Sequence, residues 1–512
     1  MEAQPTCDRA GNHLQEDIEN EERSHLEEVL AAVHASVGRA RDLAERAEAS
    51  HREAGAQLAA DRGELAPEEA HLSAFELNRM DAQAALAHRS RRRLEKLLDS
   101  PYFARVDFLD GDVSEATTYI GRFAFTWQNH ALVSDWRSPV ATLFYDFECG
   151  PAAFDAPGGR RAGTLALKRQ IAVEGGRLRY AVDSNSSVRD EVLAQALSRS
   201  SDAKMHDIVA SIQREQNAVI RDEAPGTLII QGVAGSGKTS IALHRVAYLL
   251  YRQKERLSSQ SVAILSPSRV FSDYISGVLP ELGEEPVRSW SLHDLASLLL
   301  KGIAKVAPAR SFADEADVAR AERARAKGTE QFAQSLAAWL DRQLGAAGTL
   351  FEPHDLAVGG DVARAGWLAE RFSAYAPVPF EERLDLIAGD ALELAHGKTF
   401  GRYAHAMPTR RELRSRLLRM MRAKSPLALY RRFLADTGES ALLKMASKGV
   451  VEWEDAFPLA LCAWAFAGPD GFAATAAVRH LVIDEMQDLP PVAHEAVVRL
   501  FRCDKTILGD VN

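Results

Sequence analysis

The sequence predicts an α/β fold organised around a phosphate-binding loop, with a large helical insertion, preceded by an antiparallel coiled coil and a small β-rich module. Three patterns predict it. An apolar strand, a glycine-rich loop and a helix follow one another over residues 228–251, and a second apolar strand ends in two carboxylates at 484–485. A repeat of 3.5 residues runs over residues 26–58 and is typical of a supercoiled helix.

Composition excludes several classes of protein. The chain has 512 residues, of which 46% are hydrophobic and 26% charged, enough for roughly three or four soluble domains. No apolar run approaches the ~20 residues that cross a bilayer, so we expect a cytoplasmic protein without membrane contact. We also expect a monomer. The net charge of −10 argues against a wholly nucleic-acid-binding surface but allows local basic patches. The four cysteines lack the spacing of a zinc site or a disulfide framework.

Residues 1–105 are expected to form a coiled-coil arm. Apolar residues recur at alternating intervals of four and three from Leu26 to Leu58, and similar spacing returns from Leu77 to Leu98. Two such helices joined by a short turn fold back on each other over about 30 residues, or roughly 45 Å. The tip is interpreted as a solvated acidic turn or, alternatively, as a segment that inserts into a partner's metal or nucleic-acid site. Its acidic residues are Asp61, Glu64, Glu68 and Glu69.

Residues 106–186 have the texture of a small β-rich module. Short β-like runs lie at 119–127, 131–134 and 142–147, and glycine pairs at 158–159 and 175–176 mark turns. The neighbouring Asp135, Trp136 and Arg137 are interpreted as a packed corner rather than a catalytic site.

The glycine-rich loop carries the chemistry of phosphate binding, since its spacing fits G-x-x-x-x-G-K-[ST]. Glycines let backbone N–H groups turn toward phosphate oxygens, and the helix N-terminus adds its positive dipole end. Lys238 brings charge to the terminal phosphates, and the Thr239 hydroxyl can ligate Mg²⁺. A chance glycine-rich turn is the alternative, but the strand before it and the helix after it favour the motif. The predicted phosphate-binding residues are Gly232, Val233, Ala234, Gly235, Ser236, Gly237, Lys238, Thr239 and Ser240.

Residues 187–300 form the first part of this α/β domain. Gln216 precedes the loop and is predicted to read adenine through a bidentate contact, so the expected ligand is ATP with Mg²⁺. The run 262–265 predicts a second buried strand. Ser268 and Arg269, which follow it, are expected either to touch a nucleic-acid backbone or to cap the next helix.

Residues 451–512 form the second part of the domain. The apolar strand at 480–483 runs into Asp484 and Glu485. In phosphate-loop NTPases the first carboxylate holds Mg²⁺, and the second positions and deprotonates the attacking water. We therefore predict Lys238, Asp484 and Glu485 as catalytic residues, and Thr239 and Asp484 as metal ligands.

Residues 301–450 lie between the two parts and are predicted to be a mostly helical insertion, because a few βα units need far fewer residues. The segment 410–419 reads as a basic amphipathic helix. A solvated helix face and contact with a phosphate backbone are equally weighted explanations for its charge.

Together these motifs resemble those of superfamily 1 helicases of the UvrD/Rep type, and within that superfamily the HelD family, whose helicase-like factors bind bacterial RNA polymerase and free it from nucleic acid. The superfamily matches are Gln216, the loop 232–239, 266–269 as motif Ia, 484–488 as motif II and 508–510 as the start of motif III. The HelD-like segments are the N-terminal hairpin and residues 119–122, 135–139, 212–221 and 273–280.

The resemblance implies a RecA-like P-loop NTPase domain, with bacterial RNA polymerase as partner and DNA or RNA as a further one. The hairpin would enter the polymerase's secondary channel, and the insertion would reach the primary channel. In the family, motif III continues with a Gln after the position of Asn512, and a second RecA-like domain supplies an arginine for hydrolysis. We therefore expect the chain as given to bind nucleotide and to hydrolyse it poorly.

Two rival functions remain open at this point. A DNA helicase or translocase would show ATP hydrolysis stimulated by single-stranded DNA and salt-dependent DNA binding. A truncated, non-hydrolysing binding protein would keep its polymerase contact after Lys238→Ala.

Overall fold

The computed structural model describes residues 7–60, 67–110, 113–183, 212–233, 235–267, 277–309, 318–346, 348–396 and 407–510. The chain divides into two compact units. The first contains residues 1–222, 244–252 and 280–284, and the second contains residues 223–243, 253–279 and 285–512. Across the described ranges, no helix is both long enough and apolar enough to span a bilayer.

Two long helices open the first unit: α1, Cys7–Ala60, and α2, Pro67–Asp99. The predicted seam is confirmed, because every seam position along both helices is buried or half-buried. A polar contact between the Glu48 carboxylate and the His88 ring joins the helices partway along the arm and fits an antiparallel pairing. Of the acidic tip residues, Asp61 and Glu64 lie outside the described residues, whereas Glu68 and Glu69 are exposed in the first turn of α2.

A seven-stranded sheet accounts for the β-rich module of this unit. Its order is β3-β4-β2-β1-β6-β5, with β7 also paired to β6, and the predicted glycine turns connect β5 to β6 and β6 to β7. The strands are β1 (Ala104–Asp110), β2 (Val113–Gly121), β3 (Phe125–Trp127), β4 (His130–Asp135), β5 (Gly150–Ala156), β6 (Gly159–Glu174) and β7 (Arg177–Asp183).

The prediction of a β-like run at 142–147 is wrong, because Thr142–Asp146 forms a short helix, α3. A 3-10 turn at Pro139–Ala141 leads directly into it, with proline at a position that favours helix initiation. Leu143, Phe144 and Tyr145 are all buried, so this run lacks the two-sided alternation of a strand.

The base of the arm shares a hydrophobic core with the sheet. Leu26, Val29 and Val33 of α1 and Leu97 of α2 pack in one cluster with buried aromatic and aliphatic side chains of the strands. The helices are therefore anchored at their base by apolar burial, the main stabilising term in such packing.

A buried ionic cluster reinforces this anchor. The Glu22 carboxylate, completely buried on α1, accepts hydrogen bonds from Arg105 of β1 at 3.3 Å and from Arg169 of β6 at 2.7 Å. The neighbouring Glu21 accepts from the same two guanidinium groups, at 2.7 and 3.1 Å, but its side chain is half exposed. Two strands and one helix are thus joined by charge-assisted hydrogen bonds.

The packed corner predicted at Asp135, Trp136 and Arg137 is confirmed. All three side chains are buried, and the Arg137 guanidinium donates two hydrogen bonds to the Asp135 carboxylate, each at 2.8 Å. Arg221, in helix α4 (Arg214–Arg221), donates to the Trp136 carbonyl at 2.6 Å. The charged side chains of this corner, Asp135 and Arg137, are therefore paired with each other inside the fold.

The second unit is built on a parallel sheet of five strands in the order β10-β9-β16-β17-β8. The strands are β8 (Thr227–Gly232), β9 (Val262–Ser266), β10 (Arg288–Ser291), β16 (His480–Ile483) and β17 (Asp504–Asp510). All residues of β9 and β16 are buried, as predicted for central strands of a parallel sheet.

The strand before the glycine-rich loop departs from the prediction of a buried strand. β8 lies at the edge of the described sheet, and Ile229 is 61% exposed, whereas Ile230 is buried. An apolar run alone cannot distinguish an edge strand from a central one, because strand order depends on residues far away in the sequence.

Helices and small β-pairs make up most of the remaining described parts of the second unit. The described residues between 301 and 450 are mostly helical, as predicted, and their assignment as an insertion stays a prediction. Helices on both sides of residue 450 share one hydrophobic core with strands β9 and β16. The helices are α5 (Lys238–Arg252, which begins in this unit), α6 (Leu292–Leu299), α7 (Val318–Lys327), α8 (Glu330–Leu344), α9 (Ala365–Ala374), α10 (Phe380–His396), α11 (Arg410–Arg419), α12 (Pro426–Asp436), α13 (Ala456–Ala467), α14 (Ala473–Ala476) and α15 (Pro491–Leu500). The short strands are β11 (Lys305–Val306), β12 (Leu356–Val358), β13 (Asp361–Ala363), β14 (Met445–Ser447) and β15 (Val450–Val451).

Candidate nucleotide-binding site

The glycine-rich loop joins the end of β8 to the start of α5. Gly235 and Gly237 have φ of +78° and +81°, a conformation that side chains other than glycine rarely adopt. At Gly232, an added Cβ would lie 2.7 Å from the Ser236 hydroxyl oxygen. The backbone conformation therefore requires glycine at 235 and 237, whereas a side chain at 232 would need only the Ser236 hydroxyl to move. Ala234 lies outside the described residues.

The Lys238 side chain, at the first position of α5, turns back over the loop. Its ammonium donates hydrogen bonds to the carbonyl oxygens of Gly232 and Val233, each at 3.0 Å, and to the Asp510 carboxylate at 2.5 Å. Asp510 is the last residue of β17, the strand that pairs with β8. Lys238 thus connects the loop to the carboxyl end of the neighbouring strand.

Asp484 directly follows β16 and faces the same region. Its side chain is only 2% exposed, and the Thr239 hydroxyl lies 3.3 and 3.4 Å from its two carboxylate oxygens. Burial, and secondly the charge of Glu485, raise the pKa of Asp484 to about 6. The structure therefore brings together the two predicted metal ligands, Thr239 and Asp484.

Glu485 is held in an unusual backbone conformation. Its φ of 50° and ψ of 51° place a non-glycine residue in the left-handed region, which costs on the order of 1 kcal/mol or more and is most common at functional sites. Its carboxylate accepts a hydrogen bond from the Gln487 side-chain amide. The oxygen of that amide accepts in turn from the Asp510 backbone N–H at 3.1 Å.

Asp510 and Gln487 are contacts that the predicted set of site residues missed. Both belong to the helicase-like motifs described above, but no local pattern indicates that Asp510 contacts Lys238 or that Gln487 contacts Glu485. Lys238 and Asp510 are 272 positions apart in the chain. Only the parallel pairing of β8 with β17 brings them together.

The positions of the other predicted residues give less support to their predicted roles. Gln216 lies in α4 of the first unit, where its side-chain oxygen accepts from the Gln213 backbone N–H at 3.1 Å as part of a helix capping box. Its adenine contact stays a prediction. Val233 is exposed beside the loop and Ser240 is half-buried in α5. Ser268 and Arg269 lie outside the described residues.

The basic helix α11 of the insertion has internal partners for several arginines. Arg410 pairs with Asp385 at 2.7 Å and Arg414 pairs with Glu381 at 3.2 Å, so two salt bridges join α11 to α10. Arg416 donates to the Ala357 carbonyl at 3.1 Å. These contacts explain much of the charge by packing within the insertion, and contact with a phosphate backbone stays a prediction.

The geometry is suited to a hard divalent cation. Asp484 and Thr239 offer the carboxylate and hydroxyl oxygens that Mg²⁺ prefers, and Mg²⁺ needs only one or two protein ligands beside phosphates. No group of three or more His, Cys, Asp or Glu side chains in the described ranges could hold a metal by itself. A buried carboxylate with a raised pKa beside a threonine hydroxyl therefore fits a cation that arrives with its phosphates.

Asp484→Asn is expected to stabilise the protein in the absence of nucleotide. A pKa of about 6, against the ordinary 3.8, means that the folded state binds more protons than the unfolded state between about pH 4 and 6. Stability therefore falls as pH rises through this window, leaving a penalty of about 2–3 kcal/mol at neutral pH. Urea unfolding at pH 7.5 should show the variant more stable than the wild type, with the difference shrinking toward pH 4. A less stable variant at pH 7.5 would contradict this account.

One family model matches the chain. Residues 19–199 match the description "DNA helicase IV HelD, N-terminal domain", which covers roughly a third of the sequence and includes most of the arm and the β-rich module. No curated protein matches the chain. On this match, residues 19–199 carry a HelD-type N-terminal domain, in agreement with the HelD-like segments described above.

Proposed function

We propose that this chain is a cytoplasmic, monomeric HelD-type motor that binds and hydrolyses ATP with Mg²⁺. One observation carries the proposal: the loop lysine, the threonine hydroxyl and the buried carboxylate converge at the carboxyl ends of neighbouring parallel strands. Lys238 and Thr239 follow β8, Asp484 follows β16, and Asp510 ends β17 between them. In open α/β sheets this edge is where ligands bind.

The proposed fold of the second unit is a RecA-like domain split by the insertion at 301–450. The parallel order β10-β9-β16-β17-β8, with the loop strand and the acidic strand opening on one edge, supports it. The glycine conformations of the loop support a cradle in which backbone N–H groups surround phosphate oxygens.

Each side chain then has a defined role. Lys238 would neutralise charge on the terminal phosphates, and Thr239 with Asp484 would orient Mg²⁺, which supplies further charge neutralisation on the phosphates. The Glu485 carboxylate would accept the proton of the attacking water. Its left-handed backbone and its hydrogen bond from Gln487 hold that carboxylate in place before substrate arrives.

We also propose bacterial RNA polymerase as the partner, with the arm as the contacting element. The match of residues 19–199 to a HelD N-terminal domain suggests this partner, and the anchored base of the arm supports it. The bases of α1 and α2 pack in a core shared with the sheet, and a buried ionic cluster also joins α1 to the sheet. The distal parts of the helices therefore extend from a fixed base and not from a flexible linker. Release of the polymerase from DNA or RNA would then draw on the nucleotide site.

Capture of the protein by immobilised bacterial RNA polymerase tests this function. The informative variant replaces residues 49–87 by a short glycine-rich turn and keeps the base of both helices, because Leu26, Val33 and Leu97 belong to the sheet core. We expect the unaltered chain to be captured. The shortened chain should lose at least about 90% of capture if the arm is the main anchor. Thermal unfolding of both proteins controls for loss of the β-rich module.

The DNA helicase is the rival that this experiment separates. Failure of the intact chain to bind polymerase, together with tight, salt-sensitive binding to single-stranded DNA, would overturn the polymerase proposal and favour the helicase. Capture that survives shortening of the arm would remove the arm from the account. Capture without any ATP hydrolysis would favour the non-hydrolysing binding protein.

A further inference from the structure

All three hydrogen-bond donors of Lys238 have protein acceptors. A lysine ammonium carries three N–H groups, and here they reach the carbonyl oxygens of Gly232 and Val233 and the Asp510 carboxylate. The side chain of Lys238 is nearly buried, and Asp510 is the single charged group among its acceptors. Lys238 therefore cannot contact a phosphate oxygen without giving up at least one of these bonds.

We infer that Asp510 competes with the terminal phosphates of a nucleotide for Lys238, and so sets the affinity of the site. The inference rests on the proposed nucleotide-binding function and adds a residue to it. A carboxylate and a phosphate both bind an ammonium through charge-assisted hydrogen bonds, so one replaces the other at similar geometry. Of the three acceptors, the two carbonyls are neutral, and the carboxylate is the one whose charge rivals that of phosphate.

The same residue is tied to the predicted catalytic carboxylate. The Asp510 backbone N–H donates to the Gln487 side-chain oxygen at 3.1 Å, and the Gln487 amide donates to Glu485. Gln487 therefore acts as a positioning residue between the end of β17 and Glu485. When phosphate takes Lys238, the Asp510 side chain is released while its backbone still holds Gln487, so Glu485 keeps its orientation as the site fills.

The competition predicts a selective effect on affinity. Ligands with terminal phosphates must displace Asp510 from Lys238, whereas AMP, which has one phosphate, need not engage Lys238. Asp510→Asn keeps the shape of the side chain and removes its charge. We expect the variant to bind a fluorescent ATP analogue about tenfold more tightly than the wild type, with AMP affinity unchanged.

A matched variant separates the competition from a general charge effect. Asp504→Asn removes a carboxylate at the opposite end of the same strand, β17, where it pairs with Arg256 at 2.8 Å and not with Lys238. We expect its ATP affinity to stay within about twofold of the wild type. Equal tightening in both variants would overturn the inference in favour of simple charge repulsion.

A second readout follows Lys238 itself. In protein without added nucleotide, labelling of Lys238 by an amine-reactive reagent, measured by mass spectrometry, should be several-fold faster in Asp510→Asn than in the wild type. Wild-type protein that binds ATP, with Asp510→Asn unchanged in both affinity and labelling, would overturn this inference alone. Absence of ATP binding in the wild type, with faster labelling in the variant, would overturn the proposed nucleotide-binding function while leaving the Lys238–Asp510 contact intact.

Discussion

Lys238→Ala is expected to weaken binding of Mg·ATP by at least about 100-fold. Loss of two charge-assisted hydrogen bonds to phosphate, at about 1.5 kcal/mol or more each, gives a factor of this size. The fold should survive, because the partner left behind, Asp510, is 28% exposed and can be hydrated. The measurement is a titration with a fluorescent ATP analogue, with circular dichroism to show that the helices remain.

Lys254→Ala is the matched control for this variant. Lys254 is an exposed lysine just beyond the end of helix α5 that is opposite the glycine-rich loop. Its replacement removes the same charge, and we expect ATP affinity within about twofold of the wild type. Equal loss in both variants, or undiminished binding by Lys238→Ala, would contradict the assignment of Lys238 to the phosphates.

The second large effect concerns the anchor of the arm. Glu22→Gln should destabilise the first unit by about 2–3 kcal/mol, because it removes a buried charge that accepts hydrogen bonds from Arg105 and Arg169. Hydrogen exchange of the β6 amides, which report on opening of the sheet beneath α1, measures the loss. Protection in β6 should fall by roughly 30- to 100-fold if exchange follows unfolding of this unit.

Glu21→Gln provides the comparison within the same cluster. Glu21 touches the same two arginines, but its side chain is 53% exposed, so water screens its charge. We expect a loss below about 1 kcal/mol. If the two variants are equally damaging, burial is not the source of the anchor's strength. If neither has an effect, apolar packing alone holds the arm.

Much of the candidate site could be predicted from local sequence. The loop at 232–240 and the pair Asp484 and Glu485 were identified because their residue types follow apolar strands at characteristic spacing, and the structure places Thr239 beside Asp484. The coiled-coil seam could be predicted in the same way, because a repeat of 3.5 residues is a local property of the sequence of a helix. These features depend on residues that are close to one another in the sequence.

What escaped prediction depends on residues distant in sequence. The exposure of Ile229 follows from the place of β8 at the edge of the described sheet. The hydrogen bond between Lys238 and Asp510 follows from strand order as well. The ionic cluster of Glu22 with Arg169 joins positions 147 apart. No periodicity or motif predicts these long-range contacts, because they arise from tertiary packing.

The helix at Thr142–Asp146 shows a different limit. Its apolar and β-branched residues favour a strand by propensity, but the proline that starts the preceding turn and the burial of three successive side chains decide for helix. Tertiary context overrides weak local preference in short segments.

Competition between unlabelled nucleotides for the glycine-rich loop tests the central claim most directly. The wild-type chain is loaded with a fluorescent ATP analogue and Mg²⁺, and ATP, ADP and AMP are added in turn. A site built from Lys238, Thr239 and Asp484 should be emptied by ATP and ADP at concentrations at least about tenfold below those of AMP, because it binds the phosphates beyond the first. Equal competition by all three, or no binding of the analogue, would contradict a nucleotide site at this edge of the sheet.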